Sequence, residues 1–277
     1  MADQSGLEPV GSLFNSAAQA LFATLLPSDC HTCHQPPTRV SQVPVCGECL
    51  NGMERLSGPL YGFCGERNIA LHTQGCCGNC RVSAPPFVRA VAYGSYDGGL
   101  RELIHLLKYD RVRPAANVLG RMLAEAIEAL RAVCNSAVVI SVPLHRSNLR
   151  LRGFNQAEEI ARAALKQLRR SELKLDTEVM QRRRKTETQT GLTDQQRREN
   201  VRGAFVVTAS EVIDGANVLL IDDVFTTGAT VTECARVLRR QGAKRVFVAT
   251  VARVLKAGAT WAVPQDIEQP RTLAAYA

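Results

Sequence analysis

Residues 218–230 read VLLIDDVFTTGAT, in which four apolar residues run into two aspartates and a loop of small, hydroxyl-bearing residues. A short continuous apolar run is typical of a strand buried on both faces of a parallel sheet. The following residues place Val231, Cys234 (or Ala235) and Leu238 at helical spacing, with Gly242 where the helix would end. The segment therefore predicts a strand, a tight loop and a helix in succession.

The 226–230 loop has the composition of a phosphate site. A helix amino end presents free N–H groups and a partial positive charge, both of which favour anions. Asp222 and Asp223 come at the carboxyl end of the strand, where open α/β sheets bind ligands, and carboxylates accept hydrogen bonds from sugar hydroxyls. A phosphate beside a diol predicts a ribose 5-phosphate. The predicted phosphate contacts are Thr226, Thr227, Gly228, Ala229 and Thr230.

This segment resembles the signature with which type I phosphoribosyltransferases bind phosphoribosyl pyrophosphate (PRPP). A Walker A loop and a G-x-G-x-x-G fingerprint are both absent from the sequence. The alternative is an ordinary strand followed by a threonine that caps the next helix. A helix cap needs one hydroxyl and no pair of acids, so the pattern favours the phosphoribosyl interpretation as a statement about fold.

The chain of 277 residues is long enough for one substantial core and a small module. No apolar run in the sequence is long enough to span a membrane. Residues 1–29 carry an apolar stripe at Leu13 (or Phe14), Ala17, Leu21 and Leu25, without the basic residues that open a signal peptide. We expect an amphipathic helix there, no membrane insertion and a cytoplasmic location.

The net charge of +8 is concentrated in one fifth of the chain. Residues 146–202 contain 15 Lys or Arg against 8 Asp or Glu, and the run 182–185 has no acid until Glu187. Such a cluster is either a set of solvated faces or a basic surface for phosphates. The concentration favours a surface that contacts a small phosphate ligand or a nucleic acid.

Eight of the ten cysteines lie between Cys30 and Cys80. The pairs Cys30–Cys33 and Cys46–Cys49 each form a C-x-x-C turn, and two such turns present four thiolates around one zinc ion. Disulfides are the weaker interpretation in a cytoplasmic protein. A closed four-sulfur site is structural, so the sequence predicts a zinc module over 30–84 that needs metal to fold.

A second group of cysteines is less regular. Cys64 lacks a C-x-x-C partner because residue 67 is arginine. The four cysteines of this group could still supply four sulfurs, although adjacent cysteines rarely both bind one ion. The sequence therefore leaves open whether a second zinc ion binds. The remaining two cysteines are expected to be buried as small apolar side chains. The second group is Cys64, Cys76, Cys77 and Cys80, and the isolated pair is Cys134 and Cys234.

From residue 87 onward, strand and helix patterns alternate, which predicts an α/β domain with a mainly parallel, doubly wound sheet over 87–254. The tail 255–277 has no period and is expected to be disordered. The stretch 142–161 places Arg146, Arg150 and Arg152 on a loop after a strand, before Asn155 opens a helix. The polar stretch 182–205 is either a loop that closes over a charged ligand or a solvated connector.

The chain resembles the ComF family of competence proteins in four parts that occur in the same order. These are the cysteine module, VPLHRSNLRLRGFNQAE at 142–158, the segment RRRKTETQTGLTDQQRRENVRGAF at 182–205, and LLIDDVFTTGAT at 219–230. The resemblance covers roughly residues 26–254. Arg67 departs from the family pattern and puts the second metal in doubt.

The resemblance implies a type I phosphoribosyltransferase fold, a PRPP pocket with Mg²⁺, and a role in natural transformation and the handling of single-stranded DNA. Asp222 and Asp223 would contact ribose hydroxyls or Mg²⁺, and the 226–230 loop would hold the 5-phosphate. Arg152 and Asn155 would border the pocket. The residues expected to meet pyrophosphate or DNA are Arg146, Arg150 and Lys185.

Three functions compete at this point. The first is a DNA-uptake accessory protein with a PRPP-type pocket. The second is a salvage phosphoribosyltransferase with an unidentified nucleobase acceptor. The third is a zinc scaffold for a DNA-processing partner such as a helicase. No segment for base recognition and no base for activating a nucleophile is legible in the sequence.

Overall fold

A computed structural model describes residues 29–36, 42–58, 60–66, 77, 80–81, 83–168, 172–186 and 193–255. The predicted amphipathic helix at 1–29, apart from Asp29, and the predicted tail from residue 256 lie outside the described residues. No helix within the described ranges is long and apolar enough to cross a membrane.

The core of the fold is a parallel sheet of five strands in the order β1-β7-β6-β2-β3. Each long strand is a run of apolar residues, because both faces of the sheet are covered. The strands are β1 (Arg89–Ser95), β2 (Ala137–Ser141), β3 (Leu173–Leu175), β6 (Asn217–Phe225) and β7 (Arg245–Arg253).

Helices cover both faces of this sheet, as the alternating pattern predicted. Successive residues of β6 point to opposite faces, so Leu219 packs in one core and Leu220 in the other. The first face carries α2 (Gly98–Lys108), α3 (Ala115–Glu128) and α5 (Gln156–Leu168), and the second carries α7 (Ala229–Arg240). The predicted doubly wound architecture is confirmed.

The structure corrects three local predictions. The arginines at 146–152 form a short helix, α4 (Arg146–Arg152), because His145 caps its start and Gly153 ends it in the left-handed region. The GAFVV run at 203–207 has one of the alternating strand patterns that predict the parallel sheet, but it does not join the main sheet. Its residues Phe205–Val207 form β5, which pairs antiparallel with β4 (Met180–Arg182). The helix α6 (Asp194–Val201) precedes β5 in the chain.

The third correction concerns β6. The strand does not end at the acid pair but continues through Asp222 and Asp223 to Phe225, with Asp222 in register with Thr250 of β7. Strand alternation therefore directs the two carboxylates to opposite faces of the sheet.

The cysteine-rich region packs against the α/β domain. Its short helix α1 (Gly47–Asn51) follows Cys46, and Val45 and Met53 join the core beside α2. The hydroxyl of Tyr93 donates to the carbonyl of Met53 at 3.1 Å, and the amide of Leu56 donates to the carbonyl of Tyr93 at 2.7 Å. The module therefore shares the hydrophobic core of the larger domain.

Candidate functional site

A cavity of about 1120 Å³ opens at the carboxyl ends of β2 and β6. The chain runs from β2 outward to β3 with α5 on one face, and from β6 outward to β7 with α7 on the other. The cavity therefore lies where the winding of the sheet reverses, which is where open α/β sheets bind ligands.

The 226–230 loop forms one wall of this cavity and leads directly into α7. Gly228 has a φ of +77° and caps α7 in the left-handed region. A Cβ at this position would lie 2.5 Å from Cζ of Phe225, so only glycine fits. Thr226, Gly228, Ala229 and Thr230 line the cavity, whereas Thr227 lines a smaller cavity on the other side of the loop.

The two carboxyl groups of the acid pair lie beside this loop and differ in protonation state. The Nζ atom of Lys108 lies 2.7 Å from Oδ2 of Asp223, and the two side chains are only 15% and 7% exposed, respectively. Against the raising effect of burial, Lys108 lowers the pKa of Asp223. Burial, followed by the neighbouring Asp223 charge, raises the pKa of Asp222 to about 8. Asp223 is therefore an anion paired with Lys108, and Asp222 holds a proton at neutral pH.

These carboxylates fit a magnesium ion. Carboxylate oxygens are the donors that Mg²⁺ prefers, and Mg²⁺ usually binds through one or two of them together with substrate phosphates. A cation beside Asp222 would offset the burial and repulsion that now keep its proton bound. Asp222 and Asp223 are therefore the residues that would hold Mg²⁺ or ribose hydroxyls.

The opposite walls of the cavity are basic. Arg152 donates to Oε1 of the buried Gln156 at 2.8 Å and lies over the ring of Tyr109. Burial lowers the pKa of Arg182, and its Nε atom has no hydrogen-bond partner among the described residues. The cations that line the cavity are Lys108, Arg111, Arg152, Arg182, Lys185 and Arg197.

The predicted basic residues separate into two groups. Arg152 and Lys185 line the cavity, whereas Arg146 and Arg150 are exposed on α4 outside it. Asn155 also lies outside the lining. Its amide donates to the carbonyl of Val142 at 3.1 Å, and its Oδ1 accepts from the amide of Ala157, so it ties the end of β2 to the start of α5.

The sequence did not identify several residues that line the cavity, among them Lys108, Arg182 and Gln156. Lys108 is the last residue of an amphipathic helix, and nothing in its local sequence distinguishes it from a solvated lysine. Arg182 lies in the basic run and differs from its neighbours only by burial in the fold. Gln156 offered no local signal either, because Arg152 ends α4 and Gln156 begins α5, so the turn between the two helices brings their side chains together.

The first cysteine cluster consists of Cys30, Cys33, Cys46 and Cys49, whose Sγ atoms all lie within 4.8 Å of one another. Sγ of Cys33 and Sγ of Cys46 are 3.8 Å apart. Four thiolates at about 2.3 Å from a tetrahedral zinc ion lie about 3.8 Å apart, so the cluster fits zinc. Sγ of Cys30 also accepts from the amides of Thr32 and Cys46. Against the raising effect of burial, such backbone hydrogen bonds lower the pKa of Cys30 to about 6.

The second cysteine cluster consists of Cys64, Cys77 and Cys80, whose Sγ atoms also lie within 4.8 Å of one another. Sγ of Cys64 is 3.6 Å from Sγ of Cys77. Cys76 and Arg67 lie outside the described residues. Elsewhere, Cys134 and Cys234 are buried, as predicted.

Comparison with known proteins gives the chain its class. Residues 152–269 match the family model described as a phosphoribosyl transferase domain. Together with the parallel sheet and the cavity at its switch point, this match confirms the predicted type I phosphoribosyltransferase-like fold.

Curated relatives then define the family. DNA utilization protein YhgH of Escherichia coli O157:H7 is 33% identical over 235 residues, covering 83% of this chain and 99% of the relative. Competence protein F of Haemophilus influenzae is 30% identical over 213 residues, covering 76% of this chain and 90% of the relative. Competence protein ComFC of Bacillus subtilis is 23% identical over 206 residues, covering 72% of this chain and 79% of the relative. The chain belongs to the ComF family of competence and DNA utilization proteins.

Proposed function

We propose that the cavity binds PRPP or a closely related ribose 5-phosphate with Mg²⁺, and that the protein uses this site in handling single-stranded DNA in the cytoplasm. One observation carries the proposal. The acid pair of β6 and the glycine-capped start of α7 line a single cavity at the switch point of the sheet.

Each part of the ligand has a counterpart in the cavity. The 5-phosphate fits the 226–230 loop, where the positive end of the α7 dipole favours an anion. The ribose diol fits the carboxylates of Asp222 and Asp223, and Arg152 lies where a pyrophosphate group would need a cation. Bound Mg²⁺ would neutralise charge on the pyrophosphate.

The walls favour this proposal over nucleobase salvage. A site for a neutral base needs an apolar or aromatic face together with hydrogen-bond donors and acceptors. Here the Arg182 guanidinium lies 5.3 Å from the ring centroid of Phe205, and Lys185 and Arg197 also line the cavity. These three cations are suited to an anion.

Titration calorimetry with Mg²⁺–PRPP tests the binding site. The wild-type protein should bind, and the double variant Asp222→Asn with Asp223→Asn should lose measurable binding, because its amides cannot replace two carboxylates. Glu211→Gln, at an exposed acid that does not line the cavity, is the matched control and should bind as the wild type does. Equal binding by the double variant would overturn the proposal.

Turnover is a separate question, and pyrophosphate release answers it. Incubation with Mg²⁺–PRPP and candidate acceptors should release pyrophosphate only if an acceptor is used. Release with a nucleobase, lost in the double variant, would favour the salvage enzyme.

The DNA role rests on the basic surface and on the family. Arg146 and Arg150 are exposed on α4, and Arg183 is exposed after β4. Exposed cations outside the cavity are free to contact a phosphate backbone. A helicase or another DNA-uptake protein is the partner we would expect on this surface.

Fluorescence anisotropy with labelled single-stranded DNA, with and without saturating Mg²⁺–PRPP, tests that role. The log–log salt slope should be about −0.7 for each phosphate contact. The variant Arg146→Gln with Arg150→Gln should weaken binding and flatten the slope. A flat slope for the wild type would remove DNA as the ligand of this surface, and transformation would then depend on a protein partner.

The first cysteine cluster is proposed to hold one structural zinc ion. Its four sulfurs close the site, so zinc there would support folding and would not take part in chemistry.

A further inference from the structure

The second cysteine cluster lies directly behind the 226–230 loop. A cavity of about 290 Å³ is lined by Cys64, Cys77 and Cys80 on one side and by Thr226 and Thr227 on the other. The loop therefore separates two cavities, one for the proposed ligand and one that contains three convergent thiols.

Arg253, at the end of β7, joins the cluster to the strand that leads into the loop. Its side chain is buried, and Nη1 donates to the carbonyl of Cys64. Nη2 lies 3.0 Å from Oε2 of Glu66, whose side chain is 14% exposed. The guanidinium carbon lies 4.9 Å from the ring centroid of Phe225. One buried cation therefore contacts both the cysteine turn and the last residue of β6.

Phe225 completes the connection to the loop. Its ring packs so closely on Gly228 that a Cβ there would lie 2.5 Å from it. Its carbonyl accepts from the amide of Val254 at 2.9 Å. The contacts Cys64–Arg253–Phe225–Gly228 are continuous, so a displacement of the cysteine turn would be transmitted to the cap of α7.

This arrangement needs a rigid cysteine turn. A buried guanidinium is stable only while its acceptors stay in place, because removing one partner leaves an uncompensated charge. The cysteine turn, residues 60–66, carries one of these acceptors, the carbonyl of Cys64. Its backbone is held by Tyr61, which exchanges hydrogen bonds with Gly65 and Glu66, and by the carbonyl of Phe63, which accepts from Ala90. Metal ligation of Cys64 would fix the acceptor of Arg253 directly.

We propose that Cys64, Cys77 and Cys80 bind a second zinc ion, and that this ion holds the 226–230 loop in its ligand-binding form through Arg253 and Phe225. Three thiolates and one further ligand complete a tetrahedral zinc site. In this role the metal positions the loop and does not touch the ligand. The expected effect on ligand affinity rests on the proposed PRPP site, whereas the effects on metal content and loop dynamics do not.

Metal analysis and hydrogen exchange test the proposal in the full-length chain. The wild type should contain two zinc ions per chain, and Cys77→Ser with Cys80→Ser should contain one. In that variant the amides of 225–230 should exchange at least about tenfold faster, because the contact chain is released. One zinc ion in the wild type, or unchanged exchange in the variant, would overturn the proposal.

Arginine variants test the connection without touching the thiols. Arg253→Lys should keep two zinc ions but accelerate exchange at 225–230 and weaken Mg²⁺–PRPP binding about tenfold, since an ammonium cannot span both acceptors. The matched control is Arg245→Lys, at the other end of β7, where the guanidinium also lies over a phenyl ring, that of Phe247. Arg245→Lys should change neither the exchange rate at 225–230 nor the affinity for Mg²⁺–PRPP.

The outcomes separate this inference from the proposed function. If the wild type fails to bind Mg²⁺–PRPP, the proposed ligand is wrong, and zinc content and loop exchange still decide the role of the cluster. If Arg253→Lys behaves like Arg245→Lys in exchange, the connection through Arg253 is wrong even where PRPP binds.

Discussion

The Nζ atom of Lys108 lies 2.7 Å from Oδ2 of Asp223, which joins the last residue of α2 to the acid pair of β6. Both side chains are largely buried, and the attraction to Asp223 outweighs burial and raises the pKa of Lys108. The ion pair therefore neutralises one carboxylate of the proposed sugar site and leaves the other, Asp222, to hold its proton.

Lys108→Met should destabilise the fold by about 3 kcal/mol, because it leaves Asp223 buried without its cation. Urea unfolding of the free protein measures this. Adding Asp223→Asn should restore more than half of the loss, since the uncompensated charge is then removed. Lys166→Met, an exposed lysine near the end of α5, is the control and should change stability by less than about 0.5 kcal/mol. A double variant no more stable than Lys108→Met would contradict this account of the pair.

Gly228→Ala should destabilise the protein and abolish binding of ribose phosphates. The substitution adds a Cβ at positive φ and places it against the Phe225 ring. Gly203→Ala separates the two effects, because its φ is +68° but nothing lies within 4 Å of the new Cβ. It should cost only the left-handed strain of about 1–2 kcal/mol and should leave ligand binding intact. Equal effects of the two variants, measured by thermal unfolding and titration calorimetry, would show that steric contact with Phe225 is unimportant.

Because of Asp222, the free energy of unfolding should fall as the pH rises. The folded pKa of Asp222, about 8, lies above the usual value near 3.9, so between these limits the folded state binds one more proton than the unfolded state. The free energy of unfolding should therefore decrease by up to about 1.4 kcal/mol per pH unit across this window relative to Asp222→Asn. Unfolding of both proteins from pH 5 to pH 8 measures the difference, and parallel curves would show that Asp222 ionises normally.

The same proton predicts how magnesium binds. A cation at Asp222 must displace the proton, so affinity for Mg²⁺ should rise with pH up to about 8 and proton release should accompany binding. Calorimetry in two buffers of different ionisation enthalpy measures the released proton. Its absence at pH 7 would place the metal elsewhere.

Removing the zinc ion proposed for the first cysteine cluster should destabilise the whole domain. Cys30, Val45 and Met53 belong to the core that also contains α2, so loss of the metal exposes a shared apolar surface. Cys33→Ser should lose one zinc ion and lower the melting temperature. Glu48→Gln, an exposed acid within α1, should keep the metal and the melting temperature. A Cys33→Ser variant with an unchanged melting temperature would show that the module folds without this ion.

Local sequence pattern was sufficient to predict elements whose apolar residues form a continuous run or recur at helical spacing. The apolar run at 218–221 predicted a strand buried on both faces, and the spacing of Val231, Cys234 and Leu238 predicted the face of α7 that is buried. Pattern failed at the ends of elements. Nothing in the run of β6 shows that backbone pairing with β7 continues beyond the acids, because that pairing depends on a strand 20 residues further along the chain.

The sequence by itself determined the doubly wound α/β fold, the 226–230 loop, the acid pair and the four sulfurs of the first cluster. Each of these depends on residues that are near one another in the chain. Only the tertiary structure decided that Lys108 neutralises Asp223, that Arg182 faces the cavity, and that Arg253 connects the second cysteine cluster to Phe225. These relationships join residues more than 25 positions apart or depend on burial, and local sequence specifies neither.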